Sequence, residues 1–207
     1  MKRIVLASGN PGKLREFRQM LEPLGIEIVP QAELGIAEAV EPHPTFVENA
    51  LAKARHASRE ACMPAFADDS GICVIALSGE PGVHSARFAG PAAGGPGGRD
   101  DQDERNNRRL IESLRNHADR RAHYYCGIVL VRHAADPEPL IAEGRWHGEV
   151  IDAARGSNGF GYDPYFYLPE FGRTAAELTS EEKNAVSHRG CALAQLVAQL
   201  RIRGYLE

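Results

Sequence analysis

Two adjacent carboxylates, Asp68 and Asp69, stand between the apolar run Ala65–Ala67 and Ser70-Gly71. Neighbouring acids where a strand stops repel each other, and such a pair suits a metal ion or proton transfer. Mg2+ binds through a few carboxylate oxygens together with water and substrate phosphate, so Asp69 with one or two distant acids would suffice. Asp, Ser and Gly are also the usual residues of a turn, and taken alone the quartet Asp68–Gly71 fits a turn as well.

A second group is Ser8-Gly9-Asn10-Pro11-Gly12-Lys13, between a strand-like run and a helical pattern. Its glycines let backbone N–H groups approach an anion, the helix start adds partial positive charge, and Lys13 adds a full one. The G-x-x-x-x-G-K-[ST] spacing of a Walker loop is absent, and Leu14 follows the lysine. An ordinary tight turn with a solvated lysine accounts for the segment equally well.

Two further groups lie near the end of the chain. In Gly156–Asp163, an aromatic flanked by glycines, Phe160, can lie against a purine, and Asp163 can accept a hydrogen bond from a base edge. A glycine-rich hairpin with core aromatics is the alternative. Lys183-Asn184 and Ser187-His188-Arg189 offer cations and a ring N–H to phosphate or to a carbonyl oxygen, or else form a capped helix start with surface cations. His84, His117, His123, His133 and His147 show no pairing pattern and read as structural or exposed.

These groups need elements to hold them. Ile4–Ala7 reads as a strand, and Leu14, Phe17, Leu21 and Leu24 then recur at helical spacing. Ile26–Val29 is a second strand. Thr45 with Glu48 has the form of a capping box opening an alanine-rich helix to about Ala61. Ala65–Ala67 and Ile72–Leu77 read as strands on either side of the acidic quartet. A polar helix is expected over about Asp101–Asn116, strands over His123–Arg132 and Leu140–Ile151, and a closing helix over about His188–Arg203 with Leu193, Leu196, Val197 and Leu200 as its stripe. Gly90–Gly98 reads as a flexible loop. Strands that alternate with helices, with some strands directly adjacent, imply an α/β fold on a mixed sheet, and the length of 207 residues suits one domain.

Composition bounds the function. A net charge of −4 weighs against a dedicated nucleic-acid binder, though not against a pocket for a small anion. Cys62, Cys73, Cys126 and Cys191 are far apart, without zinc-like or disulfide-framework spacing, and read as buried reduced thiols. No run is long and apolar enough to span a membrane, so a soluble, cytoplasmic protein is expected.

Taken in order, the segments resemble the inosine/xanthosine triphosphate pyrophosphatase family. The likeness runs through Ser8–Lys13, Thr45-Phe46-Val47-Glu48-Asn49-Ala50 with Lys53-Ala54-Arg55, Ala67–Gly71, Pro81-Gly82-Val83 with Ser85-Ala86-Arg87, Gly159–Pro164, and Lys183-Asn184 through Ser187-His188-Arg189. The resemblance implies an elongated α/β fold with a mixed twisted sheet and flanking helices, two lobes around a central cleft, and a homodimer. It implies Mg2+-dependent cleavage of ITP, dITP or XTP to the monophosphate and pyrophosphate, which keeps deaminated purines out of nucleic acids. On it, Ser8, Gly9, Asn10, Pro11, Gly12 and Lys13 would bind the triphosphate, helped by Lys53 and Arg87. Asp69 would accept the proton and bind the metal with Glu41 and Asp68, and Ser70 would touch the substrate. Phe160 would stack on the base, with Gly161, Tyr162, Asp163, Lys183, His188 and Arg189 around it. Ile75 stands where many relatives carry Asp or Asn, and His84 where Tyr is usual. The Gly90–Gly98 stretch is longer than the family's usual loop and would edge the cleft. Two readings compete: a related pyrophosphatase family acting on other modified nucleotides, which usually opens with serine and arginines, and a purine-sensing module without turnover.

Overall fold

In the computed structural model, which describes residues 2–90 and 99–206, strand β1 (Arg3–Leu6) feeds directly into helix α1 (Pro11–Leu21). The helix starts there because Asn10 caps it: Oδ1 accepts from the Gly12 and Lys13 amides at 2.9 and 3.3 Å, and Pro11 fits the first turn without a donor to waste. Phe17 and Leu21 are its buried face, and the Phe17 ring meets Phe66 edge-on at 5.1 Å. Strand β2 (Glu27–Pro30) and strand β3 (Ala65–Val74) both pair parallel to β1. Helix α2 (Phe46–Ala61) opens at Thr45, whose hydroxyl accepts from the Glu48 amide. Its Ala50, Ala54 and Ala57 pack against Val5, Ala7, Ala65 and Ala67, small side chains that let helix and sheet approach closely.

Helix α3 (Arg99–Leu114), strands β4 (Arg121–Val131) and β5 (Leu140–Val150), and helix α5 (His188–Ile202) fall within two or three residues of their expected bounds. Short elements between β5 and α5 are additional, among them β6 (Phe166–Leu168), β7 (Arg173–Thr174) and helix α4 (Ser180–Val186). Among the described residues seven strands order as β2-β1-β3-β4-β5-β6-β7, with β5–β6 and β6–β7 antiparallel, so the sheet is mixed as the element order implied.

The chain forms two compact units. Unit 1 comprises Met1–Asp69, Cys126–Gly144 and His188–Glu207, and unit 2 comprises Ser70–Tyr125 and Arg145–Ser187. In unit 1, Leu193, Leu196 and Leu200 of α5 share a core with Phe17, Phe66 and Ile128. Gly144 permits that packing, since a Cβ there would strike the His188 carbonyl and the Ala192 amide. The core of unit 2 gathers Leu110 and Leu114 of α3 with Tyr124, Trp146, Tyr162 and Phe166.

Three expectations are corrected. Asp68-Asp69-Ser70-Gly71 is neither a turn nor a strand end but the middle of the ten-residue β3. The acids tolerate an extended, buried backbone because each meets cations, and Gly71 leaves room where a Cβ would collide with the Gly82 carbonyl and the Ser85 hydroxyl. That strand stops at Val74, and Ile75–Leu77 is a 3-10 turn. Of the four thiols only Cys126 is buried: Cys73 is half-buried, and Cys62 and Cys191 are exposed. Cys62 ends α2 in the left-handed conformation. The expected Gly90–Gly98 loop lies, beyond Gly90, outside the described residues. Among the described residues no helix is long and apolar enough to cross a membrane.

Candidate active site

Neighbours on a strand point to opposite faces, and β3 uses this to separate its two acids. Phe66 and Asp68 face α1 and α5, while Ala65, Ala67 and Asp69 face α2. On the first face, Asp68 Oδ2 lies 2.9 Å from Lys13 Nζ and 3.2 Å from Arg189 Nη2, and Arg189 also pairs with Glu16. Asp68 is 1% and Arg189 2% exposed, so the centre of this chain of alternating charges is shielded from water. On the second face, Lys53 Nζ bridges Glu41 at 2.7 Å and Asp69 at 3.2 Å. Asn49 Nδ2 donates to Asp69 Oδ2 at 3.2 Å, and its amide also exchanges two hydrogen bonds with the His43 backbone, fixing the segment that carries Glu41.

The two environments drive the carboxylates apart. Burial disfavours the charged form of Asp68, but Lys13, Arg189 and Lys53 outweigh it and hold its pKa well below the usual range. For Asp69 burial dominates, Glu41 and Asp68 add to it, and its pKa rises despite Lys53 and Lys13. Burial works against the Lys53 ammonium, yet Asp69, Asp68 and Glu41 keep its pKa raised. One acid is thus a fixed anion and its neighbour a better proton acceptor, the division of labour expected of acid–base sites.

At the head of α1, Ser8 Oγ accepts from the Asn10 amide at 3.2 Å and Asn10 takes the Gly12 and Lys13 amides. The turn is therefore rigid, with Lys13 at its exit. The Glu38 side chain lies against Gly9, and a Cβ there would require that flexible carboxylate to move aside.

Unit 2 assembles the second set. Asp163 is buried and takes three donors: the Phe160 amide at 2.9 Å, Lys183 Nζ at 2.6 Å and the Tyr124 hydroxyl at 3.3 Å. Its carboxylate is thereby committed to shaping the loop. Lys183 Nζ also lies 4.9 Å from the Phe160 ring centroid, a cation–π contact on that face. Tyr162 is buried and donates to the Ser85 carbonyl at 2.7 Å, and burial pushes its phenol pKa up. Ser70, half-buried, follows Asp69 in β3, and Arg87 is exposed at the end of the 3-10 segment Gly82–Arg87.

Within unit 1, then, the structure gathers Lys13, Glu41, Lys53, Asp68, Asp69 and Arg189, and within unit 2 it gathers Phe160, Gly161, Tyr162, Asp163 and Lys183. It does not gather the three expected metal ligands: among the described residues no three His, Cys, Asp or Glu side chains form such a group. The alternation of β3 is the reason, since it turns Asp68 away from Asp69. Arg189, expected at the base, is a buried partner of two acids, and His188 is buried beside it in sequence. Glu16 and Glu38 were not singled out from the sequence, and Asn49 entered only within the segment Thr45-Phe46-Val47-Glu48-Asn49-Ala50. Asn49 had a signal, its place one helical turn before Lys53, whereas the Glu16–Arg189 pair spans 173 residues and had none. An open depression of about 540 Å³ in unit 2, lined by Arg108, Glu112, Arg120 and Tyr165 among others, contains none of the expected site residues.

A capped helix start with a lysine lies in the same unit as a lysine clasped by two acids, on a mixed α/β sheet. The chain belongs to the Ham1 family, whose model matches residues 4–199. It is 66% identical over 202 residues to a dITP/XTP pyrophosphatase of Ralstonia nicotianae, covering 98% of both chains. It is 65% identical to a dITP/XTP pyrophosphatase of Burkholderia pseudomallei, covering 96% of this chain and 93% of that one. Its fold matches a HAM1 protein from Coxiella burnetii with a TM-score of 0.87 at 46% identity, over 97% of this chain and 99% of that one.

Proposed function

We propose that the chain is a nucleoside triphosphate pyrophosphatase acting on dITP, XTP and ITP, and that it releases the monophosphate and pyrophosphate. The observation that carries the chemistry is Lys53 held between Glu41 and Asp69, two carboxylates that together define a cation position. The names and identities of the Ralstonia and Burkholderia relatives support the substrate class.

An all-oxygen donor pair that already holds a cation fits Mg2+, which Glu41 and Asp69 would hold. Bound there, the ion would neutralise charge on the phosphates. Asp69 orients the attacking water and takes its proton as the oxygen bonds to the α phosphorus and the bond to the bridging oxygen breaks. Lys13 and Lys53 counter the charge that builds on the leaving pyrophosphate. Asp68 acts by holding Lys13, anchored in turn by Arg189. Ser8, Gly9, Asn10, Pro11 and Gly12 shape the triphosphate seat, with Ser70 and Arg87 as further contacts.

Phe160 offers its ring to the base. Gly161 and Tyr162 complete the loop, and Asp163 and Lys183 brace it from within. A ring N–H donor such as that of His188 favours a 6-oxo purine, while adenine presents the reversed pattern and leaves buried groups unpaired. A mismatch of that kind discriminates by about a thousandfold or more. The same reading takes the protein as a cytoplasmic homodimer that binds neither nucleic acid nor membrane, which light scattering and cell fractionation test. Product analysis tests the reaction: with Mg2+, XTP and dITP yield monophosphate plus pyrophosphate, and chelation stops turnover. Nucleoside diphosphate plus orthophosphate as products would overturn it.

A further inference from the structure

Helix α3 does more than bury Leu110 and Leu114. It carries two polar pairs, each four residues apart, so that the members of a pair lie on one face. Asp103 Oδ2 accepts from the Gly161 amide at 2.8 Å, and Asn107 Nδ2 donates to the Gly161 carbonyl at 2.9 Å. Beside them, Asn106 Oδ1 accepts from the Ala89 amide at 2.9 Å, and Gln102 Nε2 donates to the Gly90 carbonyl at 3.2 Å and to Asn106 at 3.0 Å. One row of the helix grips the residue after Phe160, and the next row grips the chain two residues after Arg87.

Satisfying loop backbone groups is what buried polar side chains ordinarily do. The Gly161 grip goes further, because it takes both the donor and the acceptor of a single residue. Gly161 has φ +65, a conformation open to glycine, and carries no side chain through which the loop could be held otherwise. The amide before it, that of Phe160, is held by Asp163. The peptide planes on both sides of the Phe160 ring are therefore fixed, one from Asp163 and one from α3. The Asp103 bond is also charge-assisted, and so stronger than a neutral one.

We propose that Asp103 and Asn107 are positioning residues for base recognition, setting the orientation of Phe160 through Gly161. This rests on the reading of Phe160 as the base platform. Neither side chain belongs to the group around Asp69, so their loss acts on the base and not on the phosphates.

The test measures KM and kcat for ITP together with the inhibition constant of inorganic tripolyphosphate, which has no base. Asp103→Ala and Asn107→Ala each raise KM for ITP by about tenfold, as for loss of a hydrogen bond that fixes a loop. Saturated kcat and the tripolyphosphate constant stay within about twofold of wild type. Asp103→Asn, which still offers the Gly161 amide an oxygen, recovers most of the loss. Amide exchange across residues 159–163 rises in both alanine variants and not in Asp103→Asn. Equal weakening of ITP and tripolyphosphate, or an unchanged KM for ITP, overturns the assignment. A wild-type protein inactive on ITP would strike the pyrophosphatase reading instead, and the exchange rates would still decide whether α3 holds the loop.

Discussion

Replacing Asp68 with Asn keeps the shape of the side chain and removes one charge from a set of four in which Asp68 and Arg189 are buried and Lys13 and Glu16 partly so. Lys13 and Arg189 lose the anion that lies 2.9 and 3.2 Å away. Breaking a buried pair by removing one partner costs about 3 to 5 kcal/mol. The structure places this case at the lower end, because Arg189 keeps Glu16 and the 14% exposed Lys13 side chain can turn toward water. For 207 residues, a loss of about 3 kcal/mol lowers the melting temperature by roughly 7 °C. The assay is calorimetric melting of both proteins at neutral pH and again in acid. A carboxyl held below its unfolded pKa contributes stability that is fully present above that unfolded value, near 4, and is lost as pH falls toward the folded one. The gap between wild type and Asp68→Asn therefore narrows below about pH 4. A difference under about 2 °C at neutral pH, or one that stays constant into acid, would refute the claim that Asp68 is a buried anion holding Lys13 and Arg189.

Three other outcomes follow from the same geometry. Asp69→Asn keeps the fold, as read by circular dichroism, and lowers kcat by about a hundredfold or more, as for loss of a general base. Gly71→Ala forces a Cβ against the Gly82 carbonyl and Ser85, and denaturant titration should show a loss of about 1 to 3 kcal/mol. Phe160→Ala removes the ring beneath Lys183 and the stacking surface for the base, raising KM for XTP by about tenfold while leaving kcat within a small factor.

Local signals were legible in the sequence. Asn10-Pro11 and Thr45 with Glu48 mark helix starts, and both operate as caps. The stripe of α5 is buried as its spacing required, although Val197 is only partly covered. Thr179 with Glu182 is a capping box of the same form, and it could have revealed α4, which is short and lacks an apolar stripe to announce it. Strands β6 and β7 are too brief to show a period.

The candidate site was legible as a set of residues but not as an arrangement. Asp68-Asp69 looked like a turn because acids beside Ser-Gly usually are one. What keeps them in a strand is charge supplied from Lys13, Lys53 and Arg189, and the pairing of Asp68 with Arg189 crosses 121 positions. The grouping of Asp68 with Glu41 and Asp69 rests on the resemblance alone, and the strand gives the two neighbouring acids different partners. The alternation of β3 turns Asp68 toward Lys13 and Arg189 and Asp69 toward Lys53 and Asn49.

The direct test of the proposed chemistry is hydrolysis of dITP in oxygen-18 water with Mg2+ present. Attack at the α phosphorus, with Asp69 taking the proton, places the label in the monophosphate product and leaves the pyrophosphate unlabelled. Label in pyrophosphate, or in orthophosphate, would contradict it.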